Sequence, residues 1–414
     1  MQGVRERKFL MAANLSWFNE ARYGLFIHWG PYAVAARGEW VLNRENIPYE
    51  EYVDKYVCHF KAERYDPKEW VRLAQDAGMK YLVLTTRHHD GFCLWDTKTT
   101  DFNAVKMGPG RDLVRLYAEA VRAAGLKLGF YFSVADWHHP DYPDPYARDW
   151  PTAWPDNAKR QRFVQFYRAQ LEELMTQYGT VDILWYDGCI PEPTDGAEVN
   201  TFVKSWQPQI LINNRNGEPC DFWVSEQTIK PAAPGIAWEA NLTLNDTWGY
   251  HAGDFHYKNA KDVVMMLTQT AASAGNLLLN VGPRPDGTVP EEAVRILREA
   301  GAWLERNGEF LPNSSRSPFS WNSSCRLTTK GSRVYVHIFH SPGSELCLAE
   351  VKNKVRSVRL LASGTDLPFD QRGDRLFIRS LPAPLPDPLA TTLVLDVVGE
   401  PEPVRPQTTF WIPG

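Results

Sequence analysis

The chain has little cysteine, and no motif gives its cysteines a structural role. Six occur in 414 residues, and no two of them form a CxxC pair. A disulfide framework or a structural zinc site would need such pairs or regular spacings. We therefore expect reduced thiols in a reducing compartment, at Cys58, Cys93, Cys189, Cys220, Cys325 and Cys347.

Long apolar runs and an excess of positive charge are also missing. A membrane-spanning helix needs about twenty apolar residues in succession, and residues 1–17 are charged without a leader-like apolar core. The net charge of −5 argues against nucleic acid as a partner, because phosphate binding requires a basic surface. The sequence thus predicts a cytoplasmic protein with no membrane or nucleic-acid partner, and it indicates no oligomeric state.

Several signatures of catalysis are absent as well. No GxSxG turn is present to expose a nucleophilic serine, and no lysine ends a predicted strand, as Schiff-base chemistry would require. The histidines show neither HxH nor HExxH spacing. These absences leave carboxylates and individual histidines as the candidates for chemistry.

Strand-like and helix-like segments alternate from Tyr23 to about Gly308. Asp66 and Asp112 are typical helix N-caps, and Gly78 and Gly125 are typical of helix ends. Repeated βα units predict a parallel sheet, and eight of them predict a (β/α)8-like barrel in the α/β class. An open doubly wound sheet is disfavoured because no glycine-rich loop follows the first strand. The predicted strands cover residues 24–29, 81–86, 126–133, 181–186, 209–214, 222–224, 236–239 and 276–281.

The pattern changes around residues 312–318. Beyond them, short alternating segments separated by glycine, aspartate and proline predict a small antiparallel β-sandwich. We therefore expect a catalytic barrel over residues 1–314 and a sandwich over residues 315–414. The sandwich shows no catalytic group of residues.

Polar side chains collect at the carboxyl ends of the predicted strands, where barrels of this kind carry their chemistry. The clearest case is the segment 81–95, in which an apolar run ends in Arg87, His88, His89 and Asp90. Burying such groups costs several kcal/mol unless each has a partner, so they form either a site or a buried network. The predicted rim comprises these groups: His28, His88, His89, Ser133, Asp136, Trp137, Asp187, Asn213, Asn214, Arg215, Glu226, Glu239 and Asn280.

Two kinds of chemistry are compatible with this rim. His28, His88 and His89 with Asp90 could hold zinc or iron in a metal-dependent hydrolase. Adjacent histidines on an extended segment point to opposite sides, which disfavours binding of one ion by both. Two carboxylates that face each other are the groups of glycoside hydrolysis, and Asp187 could pair with Glu226 or Glu239. A binding module without catalysis is a third possibility.

Nine segments of the chain match one known family in order. The chain resembles the α-L-fucosidases of glycoside hydrolase family 29, and the matching segments span nearly the whole predicted barrel. The segments are RYGLFIHWGPY (22–32), GEW (38–40), LTTRHHDGFCLWDT (84–97), LGFYFSVADW (128–137), LWYDG (184–188), INNR (212–215), DFWVSEQ (221–227), WEANLTLNDTWGY (238–250) and GNLLLNVGPRPDG (275–287).

The resemblance implies a retaining exo-α-L-fucosidase that removes terminal α-L-fucosyl residues from oligosaccharides or glycoconjugates, without a cofactor or metal. It implies that Asp187 is the nucleophile and Glu226 the acid/base, with Glu239 as the alternative acid/base. The histidines would then be neutral donors to sugar hydroxyls, and Trp248 would lie near the methyl group of fucose. The implied substrate-binding residues are His28, Glu39, Trp40, His88, His89, Tyr131, Arg215 and Trp248.

Overall fold

The computed structural model describes residues 14–147, 154, 156–188, 196–217, 219–319 and 324–405 of the chain. Cys189 and residues 1–13, on which part of the predicted location rests, lie outside these ranges, as do residues 406–414 at the end of the predicted sandwich. No helix within the described ranges is long and apolar enough to cross a lipid bilayer.

Eight parallel strands form one curled sheet in the described part of the chain, which confirms the predicted (β/α)8-like fold. Neighbouring strands pair from β1 to β5 and from β6 to β8, and β1 also pairs with β8. The strands are β1 (Tyr23–Ile27), β2 (Tyr81–Arg87), β3 (Lys127–Ser133), β4 (Ile183–Asp187), β5 (Leu211–Ile212), β6 (Trp223–Glu226), β7 (Trp238–Thr243) and β8 (Asn276–Val281).

The sheet closes between β5 and β6 by a minimal contact. A single parallel bridge joins Asn213 to Phe222, and the Asp221 carboxylate accepts a hydrogen bond of 2.8 Å from the backbone N–H of Ile212. Lys204 holds the same carboxylate from outside at 2.8 Å. Because the described residues between these strands hold only the short 3₁₀ turn Asn214–Asn216, the ends of β5 and β6 lie close together.

The two helices whose N-caps the sequence predicts begin at those caps. The side chain of Asp66 accepts from the N–H of Lys68, and that of Asp112 accepts from the N–H of Arg115. The described helices are α1 (Ser16–Ala21), α2 (Tyr32–Ala35), α3 (Val41–Arg44), α4 (Tyr49–Lys55), α5 (Pro67–Asp76), α6 (Leu113–Ala123), α7 (Asn157–Gln177), α8 (Gly196–Trp206), α9 (Ala260–Ala272) and α10 (Glu291–Asn307).

Large aromatic side chains fill the inside of the barrel. Phe26, Tyr81, Tyr131 and Trp185 are all buried and pack with Leu278 in one cluster inside the sheet. A second and larger apolar layer lies between the sheet and the surrounding helices. The aromatic interior forms a floor beneath the carboxyl ends of the strands.

Only β8 has the predicted bounds, and the differences at β5, β6 and β7 affect the site. β5 is shorter than the predicted 209–214, because Asn213 leaves the ladder and bonds the N–H and C=O of Tyr186 through its side chain, each at 2.9 Å. β6 and β7 extend further than predicted. The apolar pattern of β7 is broken by Glu239, whose partners lie inside the barrel and cannot be identified from the strand itself.

The second structural unit is the predicted antiparallel sandwich. Its sheets have the orders β12-β15-β10-β9 and β11-β14-β13, and one apolar cluster lies between them. The segment FDQR forms β13, a polar strand at the edge of the second sheet. The strands are β9 (Cys325–Lys330), β10 (Arg333–Ile338), β11 (Glu345–Leu348), β12 (Val355–Leu360), β13 (Phe369–Arg372), β14 (Arg375–Arg379) and β15 (Thr391–Val397).

We retain the boundary between residues 314 and 315 as a proposal. The N–H of Asn313 bonds the carbonyl of Asn19 in the barrel unit, whereas Ser315 pairs with Thr329 of the sandwich. The two units pack closely, since the indole N–H of Trp303 on α10 donates to the carbonyl of Ala390 at 2.8 Å.

Gly301 allows α10 to lie against the end of α5. A Cβ atom at this position would meet the carbonyl oxygen of Asp76 and would lie 2.8 Å from the Cα of Ala77. We expect Gly301→Ala to lower the free energy of unfolding by about 1–3 kcal/mol, because the clash outweighs the higher helix propensity of alanine. Urea unfolding measures the difference.

Gly308, just beyond α10, provides the control. It has a φ of −78°, and a Cβ atom there would meet the nearest side-chain carbon of Leu304 at 3.5 Å. Gly308→Ala should therefore leave stability almost unchanged, and equal stability of the two variants would argue against the close helix contact.

Candidate active site

The carboxyl ends of the strands surround a cavity of about 150 Å³. Nine of the predicted site residues line it, and the other two, Glu39 and Glu239, do not. The lining residues are Phe26, His28, Trp40, His88, His89, Tyr131, Trp185, Asp187, Arg215, Glu226, Asn241 and Trp248.

Asp187 ends β4 and presents an ionised carboxylate to the cavity. One oxygen accepts from the Tyr131 hydroxyl and the other from Arg215 Nη1, each at 2.8 Å. Burial by itself would raise the pKa of this carboxyl, but the guanidinium and the other donors hold its pKa below the ordinary value. The side chain keeps 19% of its surface exposed, so a ligand can reach it.

Arg215 joins both carboxylates of the predicted catalytic pair. Its Nη1 bonds Asp187 at 2.8 Å, and its Nη2 forms an ion pair with Glu226 at the end of β6. The Glu226 side chain is 41% exposed, which places it at the mouth of the cavity rather than at its floor. One guanidinium thus holds a buried and an accessible carboxylate on the same side of the cavity.

His88 and His89 both face the cavity, contrary to the expectation that they point to opposite sides. Strict alternation ends with β2 at Arg87, and the two rings lie with their centroids 4.1 Å apart. Candidate ligand atoms of His88, His89 and Asp187 lie within 4.8 Å of one another. A metal ion there would compete with the guanidinium already bound to Asp187.

Hydrogen bonds show that Nδ1 carries the proton in two of the histidines, His89 and His28. The Ser133 hydroxyl donates to the Ala135 carbonyl, so it accepts from Nδ1–H of His89 at 2.7 Å. The Asn280 amide donates to the carbonyl of Trp248, so its oxygen accepts from Nδ1–H of His28 at 2.7 Å.

The remaining ring nitrogen, Nε2, is therefore an acceptor in both histidines. Burial lowers the pKa of His28 and of His89 to about 4, which keeps both rings neutral. Sugar hydroxyls would donate to these nitrogens, whereas the sequence analysis expected the histidines to be donors.

Two buried polar atoms of the cavity wall make no hydrogen bond to any described residue. They are Nδ1 of His88 and Oδ1 of Asn241. A buried polar atom without a partner costs about 1–3 kcal/mol. A ligand with several hydroxyl groups could satisfy both atoms, so the cavity is suited to a polyhydroxylated molecule.

Two loops carry aromatic residues to the mouth of the cavity. The Trp40 ring lies 5.2 Å from that of His89, and the Trp248 ring lies 5.0 Å from that of His28. Glu39 is buried behind them, where one carboxylate oxygen accepts from the N–H of Gly249 at 2.7 Å. Glu39 thus ties one loop to the other and does not belong to the lining residues.

Glu239 lies inside the barrel rather than on its rim. The prediction that its strand ends there is wrong, because β7 continues to Thr243. One carboxylate oxygen accepts from the Tyr81 hydroxyl at 2.5 Å, and the other accepts from the Trp185 indole N–H at 3.0 Å. Its side chain is fully buried, and the burial raises its pKa to about 7.

The polar cluster that follows β2 serves two purposes. The histidines line the cavity, whereas Arg87 and Asp136 form a fully buried ion pair of 3.0 Å beneath them. Asp90 accepts from the Tyr52 hydroxyl at 2.8 Å, and burial raises the pKa of its carboxyl to about 7. The site and the buried network that the sequence offered as alternatives are both present.

Three lining residues escaped the sequence analysis. Phe26 and Trp185 each lie two positions before a predicted site residue, His28 and Asp187, and so face the same side of their strands. Asn241 pairs in register with Glu226 across the β6–β7 ladder. The period of two along each strand was the available signal for the first two residues.

Comparison with known proteins gives a consistent set of matches. The family model described as Alpha-L-fucosidase matches residues 7–309. The human tissue alpha-L-fucosidase is 30% identical over 406 residues, which are 89% of this chain and 85% of that protein. Among solved structures, alpha-L-fucosidase isoenzyme 1 from Paenibacillus thiaminolyticus is 38% identical, with a TM-score of 0.86 over 93% of this chain and 98% of that one.

A further similar structure contains a covalent intermediate of the reaction. It is an alpha-L-fucosidase of family GH29 from Bacteroides thetaiotaomicron, trapped as a covalent intermediate with 2-fluoro-fucosyl fluoride by use of a Glu-to-Gln mutant. It is 25% identical, with a TM-score of 0.84 over 93% of this chain and 96% of that chain. The metal-dependent alternative receives no support from these relatives.

The predicted cytoplasmic location is wrong. The matching proteins include enzymes named for tissue and plasma, among them the human plasma alpha-L-fucosidase. The prediction relied on thiol chemistry and on the lack of an apolar leader, and neither property determines where a folded chain resides.

Asp90 should make the stability of the protein depend on pH. The folded protein keeps this carboxyl protonated up to about pH 7, whereas its ordinary pKa is 3.8. Its stabilising contribution is therefore fully present below that ordinary value and is lost as the pH rises towards 7. We expect Asp90→Asn to gain stability over the wild type across this window, by a few kcal/mol at most.

Calorimetry from acidic to neutral pH measures this difference. Asp54→Asn is the control, because Asp54 is exposed on α4 and should leave the pH dependence of the wild type intact. A constant offset between Asp90→Asn and the wild type at every pH would contradict the expectation.

Proposed function

This chain belongs to the alpha-L-fucosidases of glycoside hydrolase family 29, and from that premise we propose a retaining, exo-acting mechanism with Asp187 as nucleophile and Glu226 as acid/base. The enzyme is a glycoside hydrolase with α-L-fucosidase function. The observation that supports the finer proposal is the bridge from Arg215 to both carboxylates, which gives one buried anion and one accessible carboxyl group.

Asp187 has the properties of a nucleophile in the first displacement. Hydrogen bonds from Tyr131 and Arg215 keep its carboxylate ionised and fix its orientation towards the cavity. Its oxygen would attack the anomeric carbon of fucose while the bond to the leaving oxygen breaks, giving a covalent fucosyl-enzyme. The trapped covalent intermediate of the Bacteroides relative supports a covalent fucosyl-enzyme by analogy.

Glu226 has the exposure that an acid/base needs. In the first step it would give a proton to the leaving oxygen, and in the second it would take a proton from the water that attacks the anomeric carbon and releases Asp187. Arg215 forms an ion pair with Glu226 and so fixes its side chain at the mouth of the cavity.

The remaining lining residues would bind the sugar. His28, His88 and His89 offer ring nitrogens to the hydroxyl groups, and Trp40 and Trp248 offer apolar surface. L-Fucose carries a methyl group at C5, for which an apolar contact provides selectivity. At about 150 Å³ the cavity is well below the roughly 300 Å³ typical of larger ligands, which favours one terminal sugar and hence exo action.

Removal of the nucleophile tests the role of Asp187. Asp187→Gly should reduce hydrolysis of an aryl α-L-fucoside by several orders of magnitude. Sodium azide should partly restore turnover, because azide can enter the vacated space and form a fucosyl azide. Asp187→Asn is the matched control: it should be equally inactive but insensitive to azide, because the amide fills that space. Undiminished turnover by Asp187→Gly would remove Asp187 from the mechanism.

Leaving-group dependence tests the role of Glu226. Glu226→Ala should retain most of kcat/KM for a dinitrophenyl fucoside, whose leaving group needs little protonation in the first step, and lose most of kcat/KM for an alkyl fucoside. Glu239→Gln should show no such dependence if Glu239 has no acid/base role. If Glu239→Gln depends on the leaving group in this way and Glu226→Ala does not, Glu239 is the acid/base.

A further inference from the structure

Glu239 is a buried carboxylate that the proposed mechanism leaves without a task. It lies below the cavity floor and does not contribute to the lining. Its two oxygens are both engaged, one by the Tyr81 hydroxyl at 2.5 Å and the other by the Trp185 indole N–H at 3.0 Å. A group enclosed in this way cannot reach a leaving oxygen, yet it directly contacts a residue of the cavity wall.

Trp185 is the member of this pair that reaches the site. Its ring stacks on that of Tyr131, with centroids 5.9 Å apart and an interplanar angle of 13°. The guanidinium carbon of Arg215 lies 5.5 Å from the centre of the indole ring. Tyr131 and Arg215 each donate a hydrogen bond to Asp187. The indole therefore supports, from below, both donors that fix the carboxylate.

The indole orientation depends on a polar partner inside the barrel. Trp185 is 1% exposed, so water does not compete for its N–H, and a buried indole N–H ordinarily needs an acceptor. The acceptor present is Glu239. Aliphatic neighbours could fill the same volume, but they would not fix the rotation of the ring about its own axis.

On the side away from Trp185, the Glu239 carboxylate contacts Tyr81. Tyr81 packs within reach of Arg22, whose guanidinium donates to Asn276 at 3.3 Å near the opposite end of the barrel. The titratable groups that face Glu239 and its partner are Tyr81 and Arg22. Those that face Asp187 are Arg215, His89, Tyr131, His28 and Glu39. The two carboxylates belong to separate electrostatic environments that Trp185 connects.

We propose that Glu239 is a positioning residue: it fixes the indole of Trp185, which in turn holds Tyr131 and Arg215 against Asp187. This inference rests on the proposed function, because it assigns Glu239 a role through the proposed nucleophile. It gives the carboxylate inside the barrel a task distinct from proton transfer to substrate.

Three substitutions separate this role from others. Glu239→Leu removes the acceptor and should lower kcat/KM for an aryl fucoside by about 10–100-fold, as loss of a supporting partner commonly does. It should also move the acid limb of the pH profile of kcat/KM upward, because Asp187 loses part of its support from Arg215 and Tyr131. Glu239→Gln keeps an acceptor for the indole and should restore both properties.

Tyr81→Phe is the matched control. It removes the other partner of Glu239 and leaves the bond to Trp185 in place, so stability should fall while the pH profile stays that of the wild type. If Glu239→Leu does not fold, Trp185→Phe replaces it as the test, since it removes the N–H and keeps an aromatic ring. The upward shift of the acid limb should then appear in Trp185→Phe, and adding Glu239→Gln should shift it no further.

The possible failures are distinguishable. The inference would be overturned if Glu239→Leu kept the kcat/KM and the pH profile of the wild type. The same result in Trp185→Phe would overturn it where that variant is needed. Neither result would affect Asp187 as nucleophile. Loss of activity in Glu239→Gln only on substrates with poor leaving groups would instead make Glu239 the acid/base and overturn both proposals. An active Asp187→Gly variant would overturn the proposed function itself.

Discussion

The guanidinium of Arg215 is the contact on which the geometry of the site depends. It is the cation among the described lining residues, and it binds the carboxylates at the ends of β4 and β6. Burial keeps His28 and His89 neutral, so the positive charge that holds Asp187 ionised comes from Arg215. The three charges lie in one small cavity and have few alternative partners there.

The barrel makes this contact possible through an unusual connection. Arg215 lies only three positions beyond β5, in a 3₁₀ turn, and Glu226 ends the next strand. The described residues between β5 and β6 form no α-helix, so the chain returns directly to the rim. One bridge, the side chain of Asp221 and backbone hydrogen bonds to Ile212 join the two strands here, so the segment that closes the sheet also carries Arg215 to the rim.

Much of the fold could be predicted because the helix caps and the alternation of strand and helix segments indicate the same barrel. The caps Asp66 and Asp112 mark helix starts, and eight strand segments alternate with helices as in a barrel. The family resemblance predicted nine residues that line the cavity. Asn241 was missed because its relevance comes from its position opposite Glu226 on a neighbouring strand, a relation between distant parts of the chain.

The sequence by itself determined which groups carry charge and polarity, and that they follow the strands of a parallel barrel. Only the tertiary structure decided their roles. Glu226 and Glu239 are both glutamates near strand ends in sequence, yet one reaches the cavity mouth and the other is enclosed by Tyr81 and Trp185. The physical reason is that a carboxylate's proton affinity and reach depend on burial and on partners, which come from strands far apart in the sequence.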